Sequence, residues 1–299
     1  MKSIKISILS VIAALSILPA AAQSAPKEAL WQGKGRIVIS SDGNEHDWDD
    51  WAASAMNLAV LASQGLQDKL TLYTYSDHVW GSNQEHPNVN GMNAYEHVKE
   101  SITGGARYFD FDTTKFICAV DNAEVAYNAM RDEINRSSAE SPLFIIGAGP
   151  MQVIGEGMNR ADSDKLKYVT IISHSGWNNN HSDKVQSNFI WDVHSGWTWD
   201  EMIEAFGAAK HGASFVKIKD QNHGWDKYIA LQCPREHFDW LVEENAPESW
   251  RWLHFRLESC AVKQKRYFDV SDTGMIVYLL TGNENVSPQM IEQFLRKEN

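Results

Sequence analysis

The chain has 299 residues, 43% of them hydrophobic and 22% charged, long enough for one large packed domain and too apolar for a disordered chain. Its 39 acidic residues outnumber 27 basic ones and leave a formal charge of −12, which argues against nucleic acid as a partner, since phosphates demand basic patches. The first residues stand apart from the rest: Lys2 and Lys5, an apolar run from Ile6 to Leu18, then Ala20, Ala21 and Ala22. This is the pattern of a secretory signal peptide, too short and wrongly flanked for a transmembrane span. Cleavage near Ala22 would leave about 277 residues, 23–299, as a single exported domain, periplasmic or secreted, with no membrane partner.

The elements then alternate. Ile37 to Ile39 reads as a buried strand, and Ala52, Ala55, Met56, Ala59 and Val60 recur at helical spacing. Leu70 to Tyr75 reads as a second strand that ends in Ser76, Asp77 and His78, and Asn93 to Ile102 as a helix. Asp121 to Glu124 is a capping-box pattern opening a helix to about Arg136. Leu143 to Ile146 is a third strand, followed by Gly147-Ala-Gly-Pro150 and a helix through Met158; Tyr168 to Ile172 is a fourth strand. Thr198 to Glu201 is another capping box, leading a helix to about Lys210. Ser214 to Ile218 reads as a fifth strand and Met275 to Leu280 as a sixth, with helices at Glu236–Glu244 and Pro288–Lys297. Strands separated by helices imply an α/β fold with a mainly parallel, doubly wound sheet and helices on both faces.

The stretch around which this pattern turns is the loop after the first strand. Asp42, Asn44, Glu45, Asp47, Asp49 and Asp50 fall within nine positions, between the strand and the helix that follows. In an open α/β sheet that edge is where ligands bind. Five carboxylates so close repel one another, and a divalent cation such as Ca²⁺, which takes six to eight oxygen ligands, would hold them together. The alternative is that these acids simply start the helix, where the dipole favours negative charge. Trp48 and Trp51 flank the loop, among 12 tryptophans whose flat faces pack on sugar rings and bases as readily as in a core.

Strand, acidic loop closing in Asp-Asp, and Ala-rich helix resemble the N-terminal signature of the nucleoside hydrolases, Asp-x-Asp-Pro-Gly-x-Asp-Asp. Asp42 matches the first acid and Asp49-Asp50 the closing pair. The Pro-Gly is missing and the spacing is one residue longer, so either Asn44 or Glu45 falls at the position of the family's catalytic Asp. The resemblance continues after later strands. Gly149-Pro150-Met151-Gln152 stands where that family has Gly-Pro-Leu-Thr, which implies that the carbonyl of Gln152 ligates calcium. Asn188 and Asp192 keep the spacing of the family's ribose-binding Asn and its following Asp, with Gln186 at the place of its substrate-binding Glu. Asp220 to Asp226 spans the place of its His-Asp pair, with His223 as the His and Asp226, in preference to Asp220, as the last calcium ligand.

The resemblance therefore implies a Ca²⁺-dependent hydrolase of a glycosidic bond in a nucleoside or related small sugar substrate. Asp42, Asn44, Asp49, Asp50, Gln152 and Asp226 would hold the metal. Glu45 or Asp47 would act as base and His223 as acid to the leaving group. Asp77, Gln186, Asn188 and Trp48 would bind substrate. Family members are often homo-oligomers. The other readings are a secreted carbohydrate-active protein on the same scaffold and a non-catalytic sugar-binding protein, the latter favoured if Asn44 occupies the base position. His174-Ser-Gly-Trp177 recurs as His194-Ser-Gly-Trp197, but no His pair has a recognisable zinc spacing, and no Gly-x-Ser-x-Gly elbow marks a serine hydrolase. Cys118, Cys233 and Cys260 allow one disulfide with a leftover thiol, or three buried thiols.

Overall fold

The computed structural model describes residues 27–43, 48–79, 89–180, 196–222, 230–264 and 267–297. Its centre is a six-stranded sheet of β1 (Arg36–Ser41), β2 (Leu70–Tyr75), β3 (Lys115–Cys118), β4 (Leu143–Ala148), β5 (Val169–Ser173) and β6 (Ser214–Lys217). The spatial order is β3-β2-β1-β4-β5-β6, with every pairing parallel. The chain thus winds outward from β1 to one side, then returns and winds to the other. Between β1 and β4 the direction reverses, and the crevice at their carboxyl ends is the ligand position of such sheets.

Period-two alternation divides the core into two layers. Ile37 and Ile39 of β1 pack on one face, against α1 (Asp50–Ser63), α2 (Ala94–Tyr108), α7 (Glu248–Gln264) and α8 (Thr273–Thr281). Val38, Leu143 and Ile145 point the other way, toward α3 (Ala123–Asn135), α4 (Gln152–Arg160) and α6 (Trp199–Phe206). The helix α1 is buried from Asp50 through Leu61, because α2, α7, α8 and α9 (Pro288–Arg296) surround it. A helix enclosed on all sides carries apolar residues all round, and its small Ala positions admit those neighbours. A separate antiparallel pair, β7 (Gln232–Pro234) with β8 (Tyr267–Asp269), leads the chain into α8.

The parallel, doubly wound architecture is the expected one, but five elements differ from expectation. Met275–Leu280 is helix α8, not a sixth strand: an apolar run buried all round has no period by which to tell strand from helix, and Gly282 at φ 71° closes it as a left-handed helix cap. The strand β3, only four residues long, is too short to show a period. Along α7, Leu253, Leu257, Cys260 and Ala261 form a buried helical stripe, but Phe255 on the other side is 46% exposed and blurs the pattern. Residues 235–242 form a 3₁₀ rather than an α-helix, and α6 stops at Phe206, where the backbone of Gly207 turns extended (φ −64°, ψ −177°). The Thr198–Glu201 capping box is present. All three cysteines are free and buried. No helix among the described residues is long and apolar enough to cross a membrane.

Candidate metal centre

The end of β1 runs straight into the crevice. Asp42 is 3% exposed; its N–H donates to the Ala148 carbonyl of β4 at 3.2 Å, and its own carbonyl accepts from Ser76 at 2.9 Å. The close approach depends on Gly149, where a Cβ would lie 2.7 Å from the Asp42 nitrogen. Gly43 follows at φ 98°, a left-handed turn that favours glycine, and its carbonyl accepts from the Trp51 indole N–H at 3.0 Å. These contacts fold the chain back so that the start of α1 faces the end of β1.

Carboxylates converge there from three elements. One ligand atom each of Asp49, Asp50 and Asp272 lies within 4.8 Å of the others, and Asp42 adjoins Asp50. Asp49 precedes α1 and Asp272 precedes α8, yet neither side chain caps its helix. The acids are therefore not consumed by the helix starts, although both helix dipoles favour negative charge at this spot. Neither carboxyl oxygen of Asp50 meets an N–H or O–H donor among the described residues, and with Asp42 it can only share a proton. Burial, reinforced by the neighbouring carboxylates, pushes Asp49 and Asp50 well above the usual range. Burial also raises Asp42 to about 6, and Asp269, at the end of β8, to about 6. An all-oxygen donor set, in which both oxygens of Asp50 are buried and without donors among the described residues, suits a hard divalent cation.

Two side chains from the end of β5 touch the cluster. His174 is 1% exposed, and its Nε2 lies 2.8 Å from Asp272 Oδ1. Its Nδ1 lies 3.4 Å from the Gln221 backbone nitrogen and 3.7 Å from Asp220. Burial alone would lower the His174 pKa, but Asp220 and Asp272 outweigh it and raise it to about 9. The same contact with His174 holds Asp220 well below the usual carboxylate range. Ser175 then takes φ 66°, and the chain turns into the short helix α5 (Gly176–Asn180). From there the Trp177 indole N–H donates to Asp42 Oδ2 at 3.3 Å, with 41% of the residue exposed.

Of the residues singled out from sequence, the structure brings together Asp42, Asp49 and Asp50. Asp77, fully buried at the end of β2, borders them: its N–H donates to the Ser41 carbonyl at 3.0 Å, and its Oδ2 accepts from Ser40 and Thr74. Its Oδ1 has no hydrogen-bond partner among the described residues, and burial pushes Asp77 up to about 8. Trp48 is the outer plate of a stack, 5.0 Å from Trp51, which lies 4.2 Å from His97. Gln152 opens α4, with its side-chain oxygen accepting from the Trp197 N–H at 2.9 Å and its amide donating to Tyr127. Asn44, Glu45, Asp47, Gln186, Asn188, His223 and Asp226 lie outside the described residues.

Asp272 and the contacts of His174 and Trp177 were not foreseen. Asp272 was hidden by reading Met275–Leu280 as a strand. The signal that could have found it is Ser271-Asp272-Thr273 directly before an apolar run, which is a helix start. It brings an acid from the C-terminal part of the chain into the cluster, whereas Asp226, the one expected from that part, lies outside the described residues.

No family model matches the chain. The curated "Uncharacterized protein P22" of Formosa agariphila is 29% identical over 260 residues, 84% of this chain and 85% of that protein. Among solved structures, an inosine-guanosine nucleoside hydrolase superposes with a TM-score of 0.50 at 13% identity, over 82% of this chain and 78% of that one. Identity that low speaks for the fold alone, and the fold of this chain is that of a nucleoside-hydrolase-like α/β protein.

Proposed function

We propose that the chain is a calcium-dependent hydrolase of a glycosidic bond, acting on a nucleoside or a related small sugar substrate. The observation that carries this reading is the convergence of Asp42, Asp49, Asp50 and Asp272 at the β1/β4 crevice, with the oxygens of Asp50 buried and without donors. Leaving such a group uncompensated costs several kcal/mol per buried charge, and a dication removes that cost. When bound there, calcium would lower the pKa of a water and orient sugar hydroxyls.

In this reading the chain's own residues divide the remaining work. Asp42, Asp49, Asp50 and Asp272 hold the ion, joined by the side-chain oxygen of Asn44, the backbone carbonyl of Gln152 and the carboxylate of Asp226. Glu45 or Asp47, in the same loop, takes the proton of the attacking water, and His223 protonates the leaving group. Asp77 at the crevice wall and Asn188 bind the sugar, and Trp48 gives an apolar ring face. The segment before residue 23 serves export, so the protein recovered from the periplasm or medium begins close to Gln23.

Titration calorimetry with calcium tests the centre. Binding by the parent that is lost in Asp50→Ala and Asp272→Ala supports it, and no binding by the parent overturns it. Nucleosides and oligosaccharides are then assayed for release of free sugar. Turnover that Glu45→Gln or Asp47→Asn abolishes, with calcium binding intact, supports the hydrolase. Calcium and sugar binding without turnover in the parent identifies a binding protein instead.

A further inference from the structure

We infer that His174 and Trp177 are positioning residues, which brace the metal-binding carboxylates from opposite sides; the inference rests on the calcium centre proposed above. Both come from the His-Ser-Gly-Trp segment at the end of β5. His174 Nε2 meets Asp272 Oδ1 at 2.8 Å, and Trp177 Nε1 meets Asp42 Oδ2 at 3.3 Å. One four-residue turn thus reaches the carboxylate that follows β1 and the one that precedes α8.

The direction of each bond follows from the groups around it. An indole nitrogen only donates, so Trp177 gives its N–H to Asp42. His174 Nε2 faces a carboxylate oxygen, which accepts, so it donates its N–H to Asp272. Each bond occupies one oxygen of its carboxylate and sets the direction of the other. Without such donors the repulsion among four acids would swing the side chains apart. A metal site whose ligands are already oriented loses less freedom on binding.

The turn itself is held. Ser173 Oγ lies 3.0 Å from Asn179 Oδ1 and 3.2 Å from the Gly147 carbonyl, and Asn178 Nδ2 donates to that carbonyl at 3.4 Å. These contacts tie α5 to the ends of β4 and β5, so the two donors are fixed to the sheet that carries the crevice. The positive φ of Ser175 lets His174 point inward while Trp177 lies over Asp42. That backbone conformation is uncommon for a serine and is sustained only where the surroundings hold it.

The test is calcium titration of the processed protein and of His174→Leu, His174→Gln and Trp177→Phe, with folding checked by circular dichroism. The leucine and phenylalanine variants should bind calcium about 10–100-fold more weakly, the range for losing a group that orients a metal ligand. His174→Gln, which keeps an N–H donor, should fall closer to the parent than His174→Leu. Binding by His174→Leu and Trp177→Phe within twofold of the parent overturns the inference, and so does a glutamine variant as weak as leucine. Should His174→Leu not fold, Trp177→Phe and His174→Gln carry the test, since Trp177 is 41% exposed and phenylalanine keeps an aromatic ring in its place. A parent that binds no calcium overturns the metal centre itself, a result distinct from binding that these variants leave untouched.

Discussion

Replacing Asp50 with asparagine should stabilise the metal-free protein and destabilise the calcium-loaded one. The carboxylate atoms of Asp49, Asp50 and Asp272 lie within 4.8 Å of one another, where two unit charges repel by about 3.5 kcal/mol at an effective dielectric of about 20. Asparagine keeps the shape of Asp50 and removes its charge from a place where its oxygens have no donor. In chelator at pH 8, Asp50→Asn should therefore unfold in urea with about 2–3 kcal/mol more stability, and melt roughly 4–10 °C higher. With calcium at about a thousand times its dissociation constant the parent gains about 4 kcal/mol and the variant little, so the order reverses. A variant no more stable than the parent in chelator would refute the reasoning, because the carboxylates would then not be repelling one another.

Three further outcomes follow from the same geometry. Asp42 and Asp269 have folded-state values of about 6, above those of an unfolded chain, so their contribution is fully present below about pH 4 and is lost as pH rises through 6. Thermal midpoints in chelator should fall between pH 5 and pH 7.5, and calcium should restore them more at the higher pH; midpoints that rise in chelator would contradict this. Gly149→Ala would place a Cβ 2.7 Å from the Asp42 nitrogen and 3.1 Å from the Ser41 carbonyl carbon, forcing β1 and β4 apart at a cost of about 1–3 kcal/mol. Urea unfolding measures that cost, calcium titration should weaken in parallel, and a variant of parental stability would show that the strand ends are not so close. Burial raises Asp77 to about 8, so at pH 7 the folded chain holds a proton that the unfolded chain has lost; Asp77→Asn keeps the neutral shape without that cost and should be the more stable of the two at pH 7, by roughly 4 kcal/mol, and close to the parent near pH 4. Asp77→Leu strands the Ser40 and Thr74 hydroxyls and should lie about 2–3 kcal/mol below Asp77→Asn at either pH; an asparagine variant less stable than the parent at pH 7 would mean that Asp77 is held ionised.

The alternation of short apolar runs with helical stripes was enough to read a parallel, doubly wound sheet, because Ile37–Ile39, Leu70–Tyr75 and Leu143–Ile146 are contiguous signals that need no partner to be seen. The acidic loop was legible for the same reason: Asp42, Asp49 and Asp50 lie within nine residues, so any fold that buries the strand and the helix must bring them close. Met275–Leu280 was not legible, since a segment buried on every side carries no period, and its misreading concealed the cap residue in front of it.

What the chain determines locally, then, is the strand, the turn at Gly43 and the crowd of charge that needs compensation. Only the tertiary structure decided which distant groups meet that charge. Asp272 arrives from a segment some 220 residues later in the sequence because α8 packs against α1, and His174 and Trp177 arrive because β5 ends beside the crevice. No spacing rule links these positions. They meet because burial of α1 on all sides fixes where its first turn lies, and α8, one of the helices that bury it, brings its own first turn to the same place.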